Sequence, residues 1–298
     1  MKNKALSLIF TTFFVIGINT NISVKADDYS PSTVKQISKD DYIQQISGSA
    51  RIDWTKQEVI VTGTGAPPEK GSAAQRRLMS IRAAKVDAYR QLLEVIEGVH
   101  INAETTVRDF VTESDVIKTQ VTGIVKGATQ VGPPKYLSDG SVEVVMTINM
   151  FGNKSVASVI IPPEIKEEAK IPVVPSKVEP ATVSENYTSL ILDCKELDVL
   201  PAMSPAIFDA DGGELYVSNL PIDPDYVINQ GIVSYARSIS QAEKNERAGS
   251  NPLIIKAQGV KGLFKSDMTI SNTDAKKLLG AEEKNSFLKN FKVIMILK

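Results

Sequence analysis

Apolar and polar positions alternate through QEVIVTGTG, residues 57–65, and a shorter apolar stretch, Ile52 to Trp54, precedes it across a few polar residues. A period of two with β-branched residues predicts two strands joined as a hairpin. GAPPEKGSA then breaks the alternation, with Ser72 placed to cap a helix. From there the period becomes helical. Ala74, Leu78, Ile81, Ala88, Leu92, Val95, Ile96 and Val99 fall on one side, and Arg76, Asp87, Arg90 and Glu94 on the other. The pattern predicts a long helix with one face on a sheet, ending at Gly98.

This helix is wider in apolar character than one packed face needs. Met79, Val86 and Leu93 extend the stripe, and Lys85 projects within it. The extra width predicts cover by a second element or another subunit, so Met79, Lys85, Val86 and Leu93 form the candidate interaction surface. For Lys85 the plainer reading is a stem along the core with its ammonium reaching water. The sharper one is a lysine desolvated for a ligand or partner.

Residues 101–107 alternate as a strand, and 115–121 read as a short helix capped by Thr112 or Ser114. Residues 123–152 then read as two long strands about a turn at Ser138-Asp139-Gly140, where Asp-Gly is the expected chemistry. This half is β-β-α-β-α-β-β, with one long helix on an antiparallel sheet. Pro162, Pro163, Pro172, Pro175 and Pro180 alternate with charges and valines over 162–185, which predicts a semi-extended spacer. Beyond it, YTSLILD, NPLIIKAQGV and FKVIMIL read as strands, and AIFDADGGELYVS as a hairpin turning at Asp211-Gly212-Gly213. Residues 223–249 read as mainly helical toward their end, and SNTDAKKLLG as a short capped helix. The expected fold class is α+β: an antiparallel sheet packed on one long helix, then a second mixed α/β domain after a Pro-rich linker.

The amino terminus changes the setting. Lys2 and Lys4 precede an apolar run over 5–18, and Val24-Lys25-Ala26 offers small residues at the positions a signal peptidase reads. This predicts a secretory signal peptide cleaved after Ala26, since the run is shorter than the roughly 20 residues of a membrane span. The expected organisation is a signal peptide 1–26, an extended lead-in 27–45, an α+β domain 46–161, a linker 162–185 and a second domain 186–298. Cys194 is the only cysteine, so no lipid-attachment cysteine follows the apolar run and no internal disulfide can form. Its apolar context predicts burial. Net charge is −1 with both signs interspersed, unlike the basic stripe of a nucleic-acid binder. The expectation is a protein exported to the periplasm of a Gram-negative bacterium, touching a membrane only peripherally if at all.

Little of the chain reads as chemistry. His100 is the only histidine, and a nucleophile–histidine–acid site would have to be built around it without a serine in a nucleophile-elbow context. DADGGELY puts Gly212 at the fourth position from Asp209, where a calcium loop needs glycine at the sixth. TGTGAPPEKG lacks the ending of a phosphate loop. Glu167 and Glu168 lie in the linker. No catalytic, cofactor or metal residue is predicted. The rival to an interaction protein is a small-ligand module with a pocket near Asp211, Tyr216 and Tyr235.

GTGAPP, RRLMSIRAAKVDAYRQLLEVIEGVHINAETTVRDF, VTGIVKGATQV and DGSVEVVMTINMFG occur in this order over residues 63–152. Arg82-Ala83-Ala84, Asp87 to Arg90, Gly98-Val99, Gly127-Ala128 and Asp139-Gly140 carry most of the pattern. Together they resemble the Lpp-twenty-type bacterial envelope lipoprotein family, to which the FlgT amino-terminal domain and FlgP-like flagellar lipoproteins look related. The resemblance implies a non-enzymatic envelope protein, in some members part of the outer ring around the flagellar motor. It implies a protein partner or self-association, and no cofactor. The missing lipid-attachment cysteine is a departure from the lipoprotein members.

Overall fold

A computed structural model describes residues 41–160, 174–217 and 224–298; the expected signal peptide lies outside them. Strands β1 (Ile43–Gln45), β2 (Ala50–Asp53), β3 (Glu58–Gly65), β4 (Thr129–Tyr136) and β5 (Val142–Asn149) form an antiparallel sheet in the order β1-β2-β3-β5-β4. The predicted hairpin is β2–β3, and the end of the supposed lead-in is its edge strand β1. Edge strand β4 accommodates Pro133 and Pro134 at a register shift between Val131 and Lys135, where no ladder donor is needed. Asp139 holds the β4–β5 turn by accepting from both the backbone N–H and hydroxyl of Ser141.

Helix α1 (Ala73–Glu97) begins with a capping box between Ser72 and Gln75 and ends at Gly98, which keeps right-handed φ −82°. The way it meets the sheet explains the glycines of TGTG. Val59, Val61, Gly63 and Gly65 share one face of β3. Leu92, Val95 and Ile96 are buried toward the carboxyl end of α1, Ser80 and Ala84 in its amino half, with Ala88 between them. A Cβ on Gly63 would lie under 3.0 Å from the Ala84 oxygen and Ala88 nitrogen, and one on Gly65 equally close to the Ser80 oxygen. Large residues therefore face large ones at one end, and at the other backbone meets backbone.

Residues 101–107 do not form the expected strand. His100 and Thr106 make a single bridge, Asn102 Oδ1 accepts from the N–H groups of Glu104 and Thr105, and Asp109 accepts from the N–H of Thr106. These side-chain bonds outcompete a ladder and start helix α2 (Val107–Glu113). Ser114 caps α3 (Asp115–Lys126), which runs past its expected end at 121 to Gly127. Helix α4 (Val156–Ile160) closes this region.

The second region holds two sheets. In the first, β10 (Pro252–Lys256), β6 (Ser189–Asp193), β13 (Val293–Ile296) and β9 (Ser234–Ala236) lie parallel in that order. Both faces are covered, as continuous apolar strands require. Ile191, Ile294 and Ile296 pack with Ala242 of α6 (Ile239–Glu243), while Leu190, Leu192, Val293 and Met295 join the main core. In the second, β11 (Gly259–Lys261), β12 (Asp267–Thr269), β7 (Ile207–Phe208) and β8 (Glu214–Tyr216) form a mixed sheet. Helices α5 (Pro224–Gln230) and α7 (Asn272–Asn285) complete the region. NPLIIKAQGV, read as one strand, is divided between β10 and β11; helix α5 and strand β9 lie in the stretch expected to be helical only toward its end.

One apolar core runs through both regions. At the seam Trp54 meets Tyr235 edge-on at 5.5 Å, Gly152 donates its N–H to the Ile228 oxygen at 2.7 Å, and Met203 donates to His100 O at 2.9 Å. The proline-rich stretch is docked from Val174 onward rather than free. Ser176 donates its N–H to Glu214 O and Ala181 to Lys276 O, and Val178 and Val183 pack on the core.

Candidate interaction surface

The overhang of α1 carries the site. Its close contact with β3 ends where Ser80 meets Gly65, the last residue of the strand. All side chains from Ala73 to Met79 are exposed, two turns or about 10 Å of helix at 1.5 Å per residue. Leu78, expected on the packed face with Ala74, is therefore 58% exposed. The strand beneath it has run out. Met79 and Val86, on the outer side, are 50% and 48% exposed. Lys85 is half-buried, and Leu93 is half-buried against the core. Of the four residues expected to form one surface, Met79 and Val86 remain on it and Leu93 is absorbed by packing.

The charge around this apolar strip is one-sided. Between residues 70 and 90 stand Lys70, Arg76, Arg77, Arg82, Lys85 and Arg90, with Asp87 the only acid. Asp87 is engaged, accepting from the N–H of Thr64 and from Gln91 Nε2. The first turn of α1 holds no acid and the last turn no base. That order opposes the helix dipole, whose positive end favours acids by about 0.3–1 kcal/mol each, so helix stability does not account for it. The Arg77 guanidinium lies 5.0 Å from the Tyr136 ring centre. A cleft of about 430 Å³, lined by Arg76, Arg77, Tyr136 and the Ser138–Gly140 turn, opens beside it. Sequence reasoning placed Arg76 on a solvated face and missed Arg77 and Tyr136; the charge asymmetry was the available signal.

The other candidates are built into the fold. Tyr216 and Tyr235 are buried in the core. Tyr216 donates its hydroxyl to Ile232 O at 2.6 Å, and Tyr235 to Ala202 O at 2.8 Å; burial pushes both phenols up. Exposed Asp211 accepts from Asn272 Nδ2. The turn expected at Asp211-Gly212-Gly213 is present, held by Asp209 Oδ1, which accepts from the N–H groups of Asp211 and Gly213. The half-buried His100 ring stacks on Phe264 at 4.3 Å, and desolvation lowers its pKa. Cys194 is buried as expected, its thiol pushed up to about 12. Among the described residues no group of three or more His, Cys, Asp or Glu is placed to hold a metal ion, and no helix is long and apolar enough to cross a membrane.

Asp267 is the second region's most perturbed carboxyl, raised to about 6, chiefly by burial. A carboxyl raised on folding supplies stability that is present below its unfolded pKa and lost as pH rises through the folded value. Asp267→Asn keeps an oxygen for the Ala206 N–H, which Oδ1 accepts at 2.8 Å. It is expected to leave stability at pH 4 nearly unchanged and raise it by about 2 kcal/mol at pH 7.5, since each tenfold change in proton affinity is worth roughly 1.4 kcal/mol. Urea titrations at the two pH values measure this.

Residues 189–298 match the family defined by the second domain of Treponema pallidum Tp0624. The match starts at the first residue of β6 and covers the parallel and mixed sheets of the second region. No curated protein matches the chain.

Proposed function

We propose that this chain is a non-enzymatic interaction protein of the Gram-negative envelope, exported to the periplasm, whose α1 overhang docks onto an anionic lipid surface. The observation that carries the reading is the exposed Leu78, Met79 and Val86 set among arginines. An apolar strip with a basic border is the arrangement by which a helix lies on anionic headgroups. The Lpp-twenty-type resemblance supports an envelope setting. With its one cysteine buried, a surface of this kind would supply the peripheral attachment that a lipid anchor gives lipoproteins. A second copy is the weaker occupant, because it would set basic strip against basic strip.

Sedimentation with phosphatidylethanolamine–phosphatidylglycerol vesicles tests this. The protein is expected to bind them, to release with salt, and to ignore phosphatidylcholine. Arg76→Gln/Arg77→Gln/Arg82→Gln removes about 1 kcal/mol per charge near the surface, on the order of a 100-fold loss of affinity. A dimer by light scattering that Met79→Glu abolishes would instead give the face to a second copy, and the lipid assignment would fail.

A further inference from the structure

We propose that the cleft between the β2–β3 turn and the connection after α5 binds a sugar acid, a small polyhydroxylated ligand bearing one carboxylate. This site is independent of the α1 overhang. Its volume of about 620 Å³ suits a small saccharide. Gln57, Asn229 and Asn245 line it. Gln57 Nε2 donates to Gln230 O, Asn229 Nδ2 to Asp225 O, and Asn245 Oδ1 accepts from the Arg247 N–H. The remaining amide donors and acceptors are of the kind sugar hydroxyls require. Lys244, Arg247 and Lys292 line it as well, against the carboxylate of Glu246.

Arg247 makes the site more than a polar groove. Its guanidinium donates to Phe291 O at 2.8 Å and to Gly231 O at 2.9 Å, and also to Gln230 O. Among the described residues no carboxylate pairs with it, and burial lowers its pKa. A half-buried cation whose guanidinium meets only carbonyls and opens on the cleft favours an anion beside it. One lining residue, Gln57 (φ 58°), holds left-handed backbone in the β2–β3 turn.

Amide NMR on the chain from Asp27 to Lys298 tests the proposal with D-glucuronate, D-glucose and inorganic phosphate as probes. Glucuronate is expected to shift the side-chain amides of Gln57, Asn229 and Asn245 saturably. Glucose, lacking the charge, should bind at least ~10-fold more weakly. Lys244→Gln/Lys292→Gln, at two exposed positions, should keep the fold and weaken glucuronate by ~10-fold or more. No saturable shift with glucuronate, glucose binding as tightly, or an unchanged double variant would each overturn the assignment. Phosphate matching glucuronate at the same amides would reduce the cleft to a general anion site and overturn it too.

Discussion

Gly63→Ala is expected to lower the unfolding free energy by about 3 kcal/mol or more, at the upper end of what overpacking costs. The added methyl would meet the Ala84 oxygen and Ala88 nitrogen at under 3.0 Å. Both are backbone atoms inside a 25-residue helix, so no side-chain rotation relieves the clash. Either α1 lifts from β3, opening contacts from Leu92 to Ile96, or the strand bends. Gly65→Ala meets the Ser80 oxygen and Ala84 nitrogen in the same way. Gly123 in α3 is the control, because a Cβ there has nothing within 4 Å. Gly123→Ala should stabilise by roughly 0.5–1 kcal/mol through helix propensity. Urea titration of the three variants measures the contrast. Equal effects would mean that the glycines of β3 are not there for close approach.

Trp54→Ala is expected to cost about 3–5 kcal/mol and to shift the unfolding of both regions together. The indole is 2% exposed, donates to Gln44 Oε1 at 2.8 Å and lies edge-on to Tyr235. Tyr235 belongs to β9 and also bonds both the N–H and the carbonyl of Ala202. Removing Trp54 therefore opens a cavity at the seam, not at the rim of one sheet. Far-ultraviolet and near-ultraviolet circular dichroism should report one transition before and after the substitution. A second transition left at its original midpoint would show that the seam does not couple the regions.

The long helix, its serine cap, the β2–β3 hairpin and the Asp-Gly turn were legible because each is a local pattern. What escaped the sequence depends on where neighbouring elements end. Leu78 has the spacing of a core residue, yet β3 stops before reaching it. Leu93 has the spacing of a surface residue, and packing takes it in. Thr106 and Asp109 carried a capping signal for α2 that the apparent alternation of residues 101–107 concealed. The tyrosines that suggested a pocket, Tyr216 and Tyr235, are consumed by backbone carbonyls that only the folded chain brings to them. The basic bias from Lys70 to Arg90 was visible throughout; its meaning depended on finding Leu78 and Met79 uncovered beside it.

The most direct test of the docking surface places a reporter on it. Cys194 is buried with its thiol held far from ionisation, so Met79→Cys can be labelled selectively with an environment-sensitive fluorophore. Leu263→Cys, at an exposed position in the second region, serves as the reference. On adding phosphatidylglycerol-containing vesicles, the label at 79 should shift to the blue and brighten while the label at 263 stays unchanged. An unchanged label at 79 under conditions of vesicle binding, or an equal response at both positions, would contradict docking through α1.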